Sequence, residues 1–218
     1  MKYLVGDIGN TLTKMTVISR NFKIQKSINF ETKKLYQKKF LKKFLKNITI
    51  SKLNKKILFS SVVPSVYHNI KKFLKKKGFK VFEIKEVKIK NILKIKINNF
   101  NQVGSDRLAN AIGSYDVYKK NCLVIDFGTA TTFDVVKKPW TYDGGVIAPG
   151  INLSILNLKN STEMLPLLKL NPKAKAYGKN TIQAMNSGFI WGYQGLINNI
   201  VNKIVSSSKL KYKIILTG

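Results

Sequence analysis

A fourteen-residue pattern occurs twice in this chain, once near the N-terminus and once just past the middle. Residues 4–17 read LVGDIGNTLTKMTV, residues 123–136 read LVIDFGTATTFDVV, and an ungapped comparison gives six identical positions. Each copy has an apolar segment, Asp-x-Gly, hydroxyl or amide residues, and a second apolar segment. A repeat of this kind predicts two similar lobes that face one another, each containing a β-hairpin.

The residue types at the two predicted turns suit the binding of phosphate and metal. Asp7 and Asp126 stand where a buried strand ends, so their carboxylates are placed to hold Mg²⁺ directly or through its waters. Gly9 and Gly128 lack the Cβ that would keep a phosphate from the backbone. Further hydrogen-bond donors to phosphate oxygens are the turn amides and the side chains of Asn10, Thr11, Thr129, Thr131 and Thr132. The two hairpins are therefore expected to grip the triphosphate of ATP.

A single Asp-x-Gly turn is most often an ordinary β-turn. Two such turns in matching hairpins, in a chain with only six aspartates, favour a functional interpretation. The sequence contains neither the Gly-x-x-x-x-Gly-Lys-[Ser/Thr] pattern nor Gly-x-Gly-x-x-Gly. Walker-type and Rossmann nucleotide sites are therefore unsupported.

Predicted strands alternate with predicted helices, which favours an α/β fold. Apolar spacing predicts a helix over Thr32–Ile48 and another over Thr181–Ser206. Pro64 and Ser65 are expected to open a further helix, with Ser65 as its N-cap. The alternation of Lys with apolar residues predicts a strand over Ile89–Ile97.

The net charge of +30 raises the question of nucleic-acid binding. Of the 40 basic residues only Arg20 and Arg107 are arginines, although arginine is the residue that reads base edges. The Lys-rich composition is interpreted as codon drift with weak attraction to polyanions, and nucleic acid as the principal partner remains an alternative. No segment is apolar enough to span a membrane, and the single Cys122 suggests a buried core thiol in a cytoplasmic protein.

Five motifs together resemble the type III pantothenate kinase family, within the superfamily of acetate kinase, sugar kinases, heat-shock chaperones and actin. They occur in family order and cover nearly the whole chain: Asp7–Thr11, Ser60–Pro64, Val103–Arg107, Asp126–Thr132 and Gly144–Gly150.

The resemblance implies an actin-like ATPase fold, an α/β architecture of two ribonuclease-H-like lobes with a nucleotide cleft between them. Residues 1–118 would form the N-terminal lobe and residues 119–218 the C-terminal lobe, shortened at its C-terminus relative to the family. The implied reaction is the ATP-dependent phosphorylation of pantothenate to 4′-phosphopantothenate, the first step of coenzyme A biosynthesis. It implies Mg²⁺, a monovalent cation (K⁺ or NH₄⁺), a homodimer in the cytoplasm, and neither a membrane nor a specific nucleic acid as partner.

The resemblance also assigns roles to individual residues. Asp106 would be the catalytic base, Asp126 the ligand of the monovalent cation, and Asp7 a Mg²⁺ ligand through phosphate. The ATP-binding residues would be Asp7, Ile8, Gly9, Asn10, Thr11, Leu12, Thr13, Lys14 and Thr129. Pantothenate would be bound by Gly104, Ser105, Asp106, Arg107 and Thr181.

The chemistry of pantothenate fits two of these assignments. Arg107 offers a planar fork of donors for the pantothenate carboxylate, which a lysine could not match. Asp106 could accept or orient the primary hydroxyl during in-line phosphoryl transfer. The structural alternatives are a surface position for Arg107 and a helix-stabilising role for Asp106.

The sequence departs from the family in two places. Ile97 stands where the family has a substrate-binding tyrosine, and the segment Asn98-Asn99-Phe100 lacks the usual proline. Family members also continue beyond the last predicted strand, whereas this sequence stops at Gly218. A shortened but working enzyme, an incomplete sequence and a degraded remnant are all compatible with that ending. Two alternatives to the pantothenate kinase function also stay open: an impaired or regulatory relative that binds nucleotide without transfer, and a kinase of another small alcohol.

Overall fold

The computed structural model describes residues 1–46 and 53–218, with side chains throughout except at residues 45 and 46. These residues divide into two compact units, Met1–Gly113 and Ser114–Gly218. The division falls inside a helix that begins at Ser105 and ends at Tyr118. Each unit is built around its own β-sheet.

The first unit contains a five-stranded sheet in the order β3-β2-β1-β4-β5. Strands β1, β2 and β3 are antiparallel neighbours, whereas β4 and β5 run parallel to β1. The elements are β1 (Lys2–Ile8), β2 (Leu12–Ser19), β3 (Ile24–Glu31), α1 (Lys38–Lys46), β4 (Lys56–Ser61), α2 (Pro64–Lys75), β5 (Lys80–Glu83), β6 (Lys94–Ile95) and α3 (Ser105–Tyr118).

The second unit repeats the order and directions of four neighbouring strands of the first sheet. Its strands lie in the order β10-β7-β8-β9, with β7, β8 and β9 antiparallel and β10 parallel to β7. The elements are β7 (Cys122–Phe127), β8 (Ala130–Lys137), β9 (Thr141–Pro149), α4 (Ile151–Asn160), α5 (Thr181–Ser208) and β10 (Lys213–Thr217). The predicted repeat is therefore a structural repeat of three antiparallel strands and one parallel strand.

Successive side chains along a strand point to opposite faces of the first sheet, and the two faces differ in burial. Leu4, Ile8 and Phe59 are fully buried and form a core with Val66 and Ile70 of α2. The Phe59 ring lies directly over Gly6, which leaves no space for a side chain there. Asp7 and its register partner Ser60 therefore lie on the face opposite to this core.

The long C-terminal helix was predicted well, since α5 begins at Thr181 and extends to Ser208. The prediction of one helix over Thr32–Ile48 was wrong in its first part, because residues Thr32–Tyr36 form a 3₁₀ turn and α1 begins only at Lys38. The end of that prediction, Ile48, lies outside the described residues.

Two further local predictions were wrong. The segment Ile89–Ile97 contains a 3₁₀ turn and only a two-residue strand, so its alternating lysines do not reflect a sheet face. Val63, and not Ser65, is the N-cap of α2, because Pro64 already occupies the first helical turn. The Ser65 hydroxyl instead hydrogen-bonds the Tyr36 hydroxyl at 2.8 Å.

Cys122 is buried as expected, and burial raises the pKa of its thiol. Within residues 1–46 and 53–218, no helix is long and apolar enough to cross a membrane.

Candidate active site

The turn of the first hairpin is held by the end of the third strand. The Gly9 amide donates to the Leu12 carbonyl at 3.0 Å, which closes the turn over Asn10 and Thr11. Thr32, just after β3, donates its amide to the Thr11 carbonyl at 2.9 Å and its hydroxyl to the Gly9 carbonyl at 2.7 Å. These bonds fix the turn while leaving Asn10 and Thr11 exposed to a ligand.

The second hairpin has the same plan with a shorter turn. The Gly128 amide donates to the Ala130 carbonyl at 3.1 Å, so Thr129 alone lies between them. Gly150, just after β9, donates its amide to the Thr129 carbonyl at 3.1 Å, as Thr32 does to Thr11. Thr129 is therefore the structural counterpart of Thr11.

Strand pairing corrects the ungapped comparison of the two repeats. Asp7 pairs with Lys14, whereas Asp126 pairs with Thr132, one residue earlier than an ungapped alignment requires. The second hairpin lacks a counterpart of Asn10. The four identical residue pairs on the first strand and its turn occupy equivalent positions in the two hairpins. The two identical pairs on the second strand do not.

The second turn is one residue shorter than the first, and this explains why position 150 is glycine. A Cβ at Gly150 would lie 2.4 Å from the Gly128 carbonyl oxygen and 2.5 Å from that of Thr129. The longer first turn leaves space for the Thr32 side chain at the equivalent position. The backbone of Gly150 has φ −72° and ψ 150°, so close approach, not an unusual conformation, requires glycine here.

Each Asp-x-Gly aspartate lies in a row of polar residues that crosses its sheet. In the first unit, Asp7 lies between Lys14 on β2 and Ser60 on β4. In the second unit, Asp126 lies between Thr132 on β8 and Thr217 on β10. Register partners on neighbouring strands share a face. Both aspartates therefore have a hydroxyl residue beside them on the parallel strand.

The Gly104–Arg107 segment leads into the first turn of α3 and lies beside Val62, which follows β4. The Asp106 carboxylate folds back over Gly104, so that a Cβ there would lie 2.3 Å from Asp106 Oδ1. The same oxygen accepts a hydrogen bond from the Arg107 amide at 2.8 Å. A Cβ at Gly104 would also lie 3.6 Å from Val62 Cγ1, and the Val62 amide donates to the Ile8 carbonyl at 3.0 Å.

Val62 thus joins the segment around Asp106 to the turn that follows Asp7, all within the first unit. The sequence predicted both segments as functional, and in the structure Val62 is a common neighbour of the two.

The family model for type III pantothenate kinase matches residues 3–203. A type III pantothenate kinase from Pelagibacter ubique is 44% identical over 216 residues, covering 99% of this chain and 86% of that protein. This chain belongs to the type III pantothenate kinase family. The family was predicted correctly from the five motifs.

Solved structures with lower sequence identity support the fold. A Baf family protein from Campylobacter jejuni has a TM-score of 0.56 at 20% identity and covers 97% of this chain and 80% of its own. The ethanolamine utilization protein EutJ from Carboxydothermus hydrogenoformans has a TM-score of 0.54 at 12% identity. The match covers 99% of this chain and 76% of that protein. This member of the family has the predicted actin-like ATPase fold.

Two residues that were predicted to bind nucleotide, Thr13 and Thr131, support the hairpins from the interior. Thr13 is fully buried, and its hydroxyl bonds the Thr32 hydroxyl at 3.0 Å. Its counterpart Thr131 is also fully buried and hydrogen-bonds the Tyr193 hydroxyl on α5. The side chain of Thr131, proposed from sequence as a phosphate donor, therefore contacts the core.

Thr181 is exposed at the start of α5, in the second unit. Asn180 caps this helix, since its side chain accepts a hydrogen bond from the Gln183 amide at 2.9 Å.

Sequence reasoning missed the supporting residues Tyr193, Asp134 and Tyr142. Asp134 is fully buried on β8 and accepts a hydrogen bond from the Tyr142 hydroxyl at 2.9 Å. The only sequence signal for this contact was an aspartate inside an apolar strand. The partners of these groups come from other elements, which spacing along the chain does not reveal.

We expect Tyr193→Phe to lower the free energy of unfolding by about 1–3 kcal/mol, because the buried Thr131 hydroxyl would lose this partner. In a chain of this size that loss corresponds to roughly 3–10 °C in Tm. Thermal denaturation followed by circular dichroism measures it. Tyr177→Phe is the control, since Tyr177 is 72% exposed and its change should leave Tm within about 1 °C. Equal shifts in the two variants would contradict the role of Tyr193.

Proposed function

We propose that this chain transfers the γ-phosphoryl group of ATP to the primary hydroxyl of pantothenate and forms 4′-phosphopantothenate. Membership of the type III pantothenate kinase family over nearly the whole chain is the observation that carries this proposal. The position of Val62, which lies beside Gly104 and donates to the Ile8 carbonyl of the first hairpin, agrees with it.

The residues of the first turn suit the binding of the phosphates. We propose that the exposed residues between Asp7 and Lys14 contact ATP, with Thr129 as a further contact from the second hairpin. Ile8 and Thr13, also predicted as ATP-binding, are fully buried and would support the turn from the interior. Asn10, Thr11 and Thr129 are exposed on turns whose backbones are fixed by hydrogen bonds. A prearranged turn presents its donors without a further ordering cost.

Asp106 and Arg107 suit the acceptor substrate. Asp106 lies in the first turn of α3, and the backbone bond to Arg107 fixes its carboxylate over Gly104. We propose that it accepts the proton of the pantothenate hydroxyl, or orients that hydroxyl, as the phosphoryl group moves in line. Arg107 would bind the carboxylate of pantothenate, with Gly104, Ser105 and Thr181 as further contacts.

The residues also fit the implied cations. Asp7 is an exposed carboxylate beside the first turn, which suits Mg²⁺, an ion usually held by one or two carboxylates and by phosphate oxygens. Bound there, Mg²⁺ would neutralise charge on the phosphates. The half-buried Asp126, with Thr132 and Thr217 beside it, offers oxygen ligands for K⁺ or NH₄⁺. The cytoplasm and a homodimer complete the proposal, and the family resemblance supports both.

The proposal is tested by measuring ADP release from ATP with a panel of acceptors. Pantothenate is expected to stimulate release, while hexoses and glycerol leave it at the background rate. Stimulation by a sugar alone would instead establish a kinase of another alcohol. Nucleotide binding without stimulation by any acceptor would indicate a relative that does not transfer phosphate.

We expect Asp126→Asn to remove the dependence on K⁺, because the variant loses the charge that would hold the ion. Turnover in K⁺ should fall about tenfold or more, toward the rate that the wild type shows in Na⁺. Asp143→Asn is the matched control, since Asp143 lies on β9 and forms a half-buried ion pair with Lys137. An unchanged ratio of K⁺ to Na⁺ rates in Asp126→Asn would contradict this assignment.

A further inference from the structure

Ser60 carries a buried hydroxyl that the function derived so far does not use. Only 8% of its surface is exposed, whereas Leu58, two residues earlier on the same face of β4, is 40% exposed. Within the part of the chain that the structure describes, Ser60 Oγ has no hydrogen-bond partner. A buried hydroxyl without a partner is costly, and native structures retain few of them.

The position of Ser60 indicates what could satisfy this hydroxyl. Ser60 is the register partner of Asp7 on the parallel strand. Neighbouring strands lie about 4.8 Å apart, so the two side chains leave the sheet next to each other. The core lies on the other face, where the Phe59 ring covers Gly6. The Ser60 hydroxyl therefore shares its face with the carboxylate proposed to hold Mg²⁺.

The chemistry of a serine hydroxyl fits the surroundings of a hydrated cation. It can donate one hydrogen bond to a carboxylate and accept another from a metal-bound water. Mg²⁺ usually keeps several of its waters in proteins, and those waters need acceptors. The side chain at the adjacent position, Ser61, is already engaged, since its Oγ accepts from the Val63 amide at 3.2 Å.

We propose that Ser60 is a positioning residue for the metal–nucleotide complex, with its hydroxyl accepting a hydrogen bond from a water of the divalent cation at Asp7. This proposal rests on the proposed function. The same strand register occurs in the second unit, where Thr217 on β10 is the register partner of Asp126, but Thr217 is exposed.

The test compares the binding of ADP to Ser60→Ala and to the wild type by calorimetry, with Mg²⁺ and with the metal chelated. Loss of one neutral hydrogen bond should weaken binding of the Mg²⁺ complex about 3- to 10-fold and leave metal-free ADP unchanged. The unliganded variant should unfold at the same temperature as the wild type or higher, because it no longer buries an unpartnered hydroxyl. A merely structural serine would instead lower Tm and change both affinities alike.

Two further variants complete the experiment. Ser60→Cys keeps a side chain of similar size with a weak hydrogen-bonding thiol, so it should lose metal-dependent affinity as Ser60→Ala does. Ser61→Ala is the neighbouring control and should leave the dependence on Mg²⁺ unchanged. Equal Mg²⁺-dependent affinities in Ser60→Ala and the wild type would overturn the proposal for Ser60 alone. A wild type that binds no nucleotide under either condition would overturn the proposed function as well.

Discussion

Asp106→Asn is expected to lower turnover roughly 10²–10⁴-fold while the protein stays folded, which is the usual effect of removing a general base. The asparagine side chain keeps an oxygen that can accept the Arg107 amide, so the start of α3 should not change. The missing property is the negative charge that would receive or orient the hydroxyl proton. Steady-state kinetics with pantothenate and ATP measure this loss, which should appear mainly in kcat.

Asp116→Asn is the matched control for this substitution. Asp116 lies on the same helix, and its side chain is 67% exposed in a surface ion pair with Lys119. Such a pair contributes little to stability, so turnover and Tm should remain close to the wild type. Wild-type turnover in Asp106→Asn, or an equal loss in both variants, would rule out Asp106 as the base.

Gly150→Ala is expected to reduce both stability and the use of ATP. The new methyl group would meet two carbonyl oxygens of the second turn at about 2.5 Å or less. Relief requires a shift of the backbone around Gly128 and Thr129, at a cost of about 1–3 kcal/mol in the free energy of unfolding. If Thr129 contacts ATP, kcat/KM for ATP should fall about tenfold or more, since small misplacements of a binding group have large effects.

Gly192→Ala separates this effect from a general effect of glycine replacement. Gly192 lies on α5 with nothing within 4 Å of the position that its Cβ would occupy. Alanine favours a helix by up to about 1 kcal/mol over glycine, so this control should be as stable as the wild type or more so. A Gly150→Ala enzyme with unchanged kcat/KM for ATP would contradict the role of the second turn.

The sequence predicted the two hairpins well because their patterns are local. Asp7-x-Gly9 and Asp126-x-Gly128 follow apolar segments, and the structure places each at the end of a strand. The residue-by-residue correspondence between the two hairpins was harder to predict from the sequence. The missing counterpart of Asn10 shifts the second strand by one residue, and only the pairing of Asp126 with Thr132 reveals it.

The third strand of each sheet escaped prediction for a compositional reason. Strand β3 alternates polar residues with few apolar ones and is largely exposed at the edge of its sheet. Strand β9 contains Gly144 and Gly145, and glycine is depleted in strands. These strands position Thr32 and Gly150, which fix the two turns. Such contacts depend on folding distant segments together and leave no periodic pattern.

For the predicted substrate segment, too, the sequence indicated the functional residues but not their packing. Gly104-Ser105-Asp106-Arg107 was identified as functional from its motif and from an arginine in a lysine-rich chain. Its packing on Val62, which connects it to Ile8, requires the parallel pairing of β1 with β4. The burial of Ser60 follows from the same pairing and could not be inferred from the sequence.

The most direct test of the proposed kinase activity is identification of the product by mass spectrometry. Purified protein would be incubated with ATP, Mg²⁺, K⁺ and pantothenate, with Asp106→Asn treated in parallel. The proposed activity predicts pantothenate heavier by one phosphoryl group in the wild-type reaction and almost none with Asp106→Asn. Folded wild-type protein that binds ATP and leaves pantothenate unmodified would contradict it.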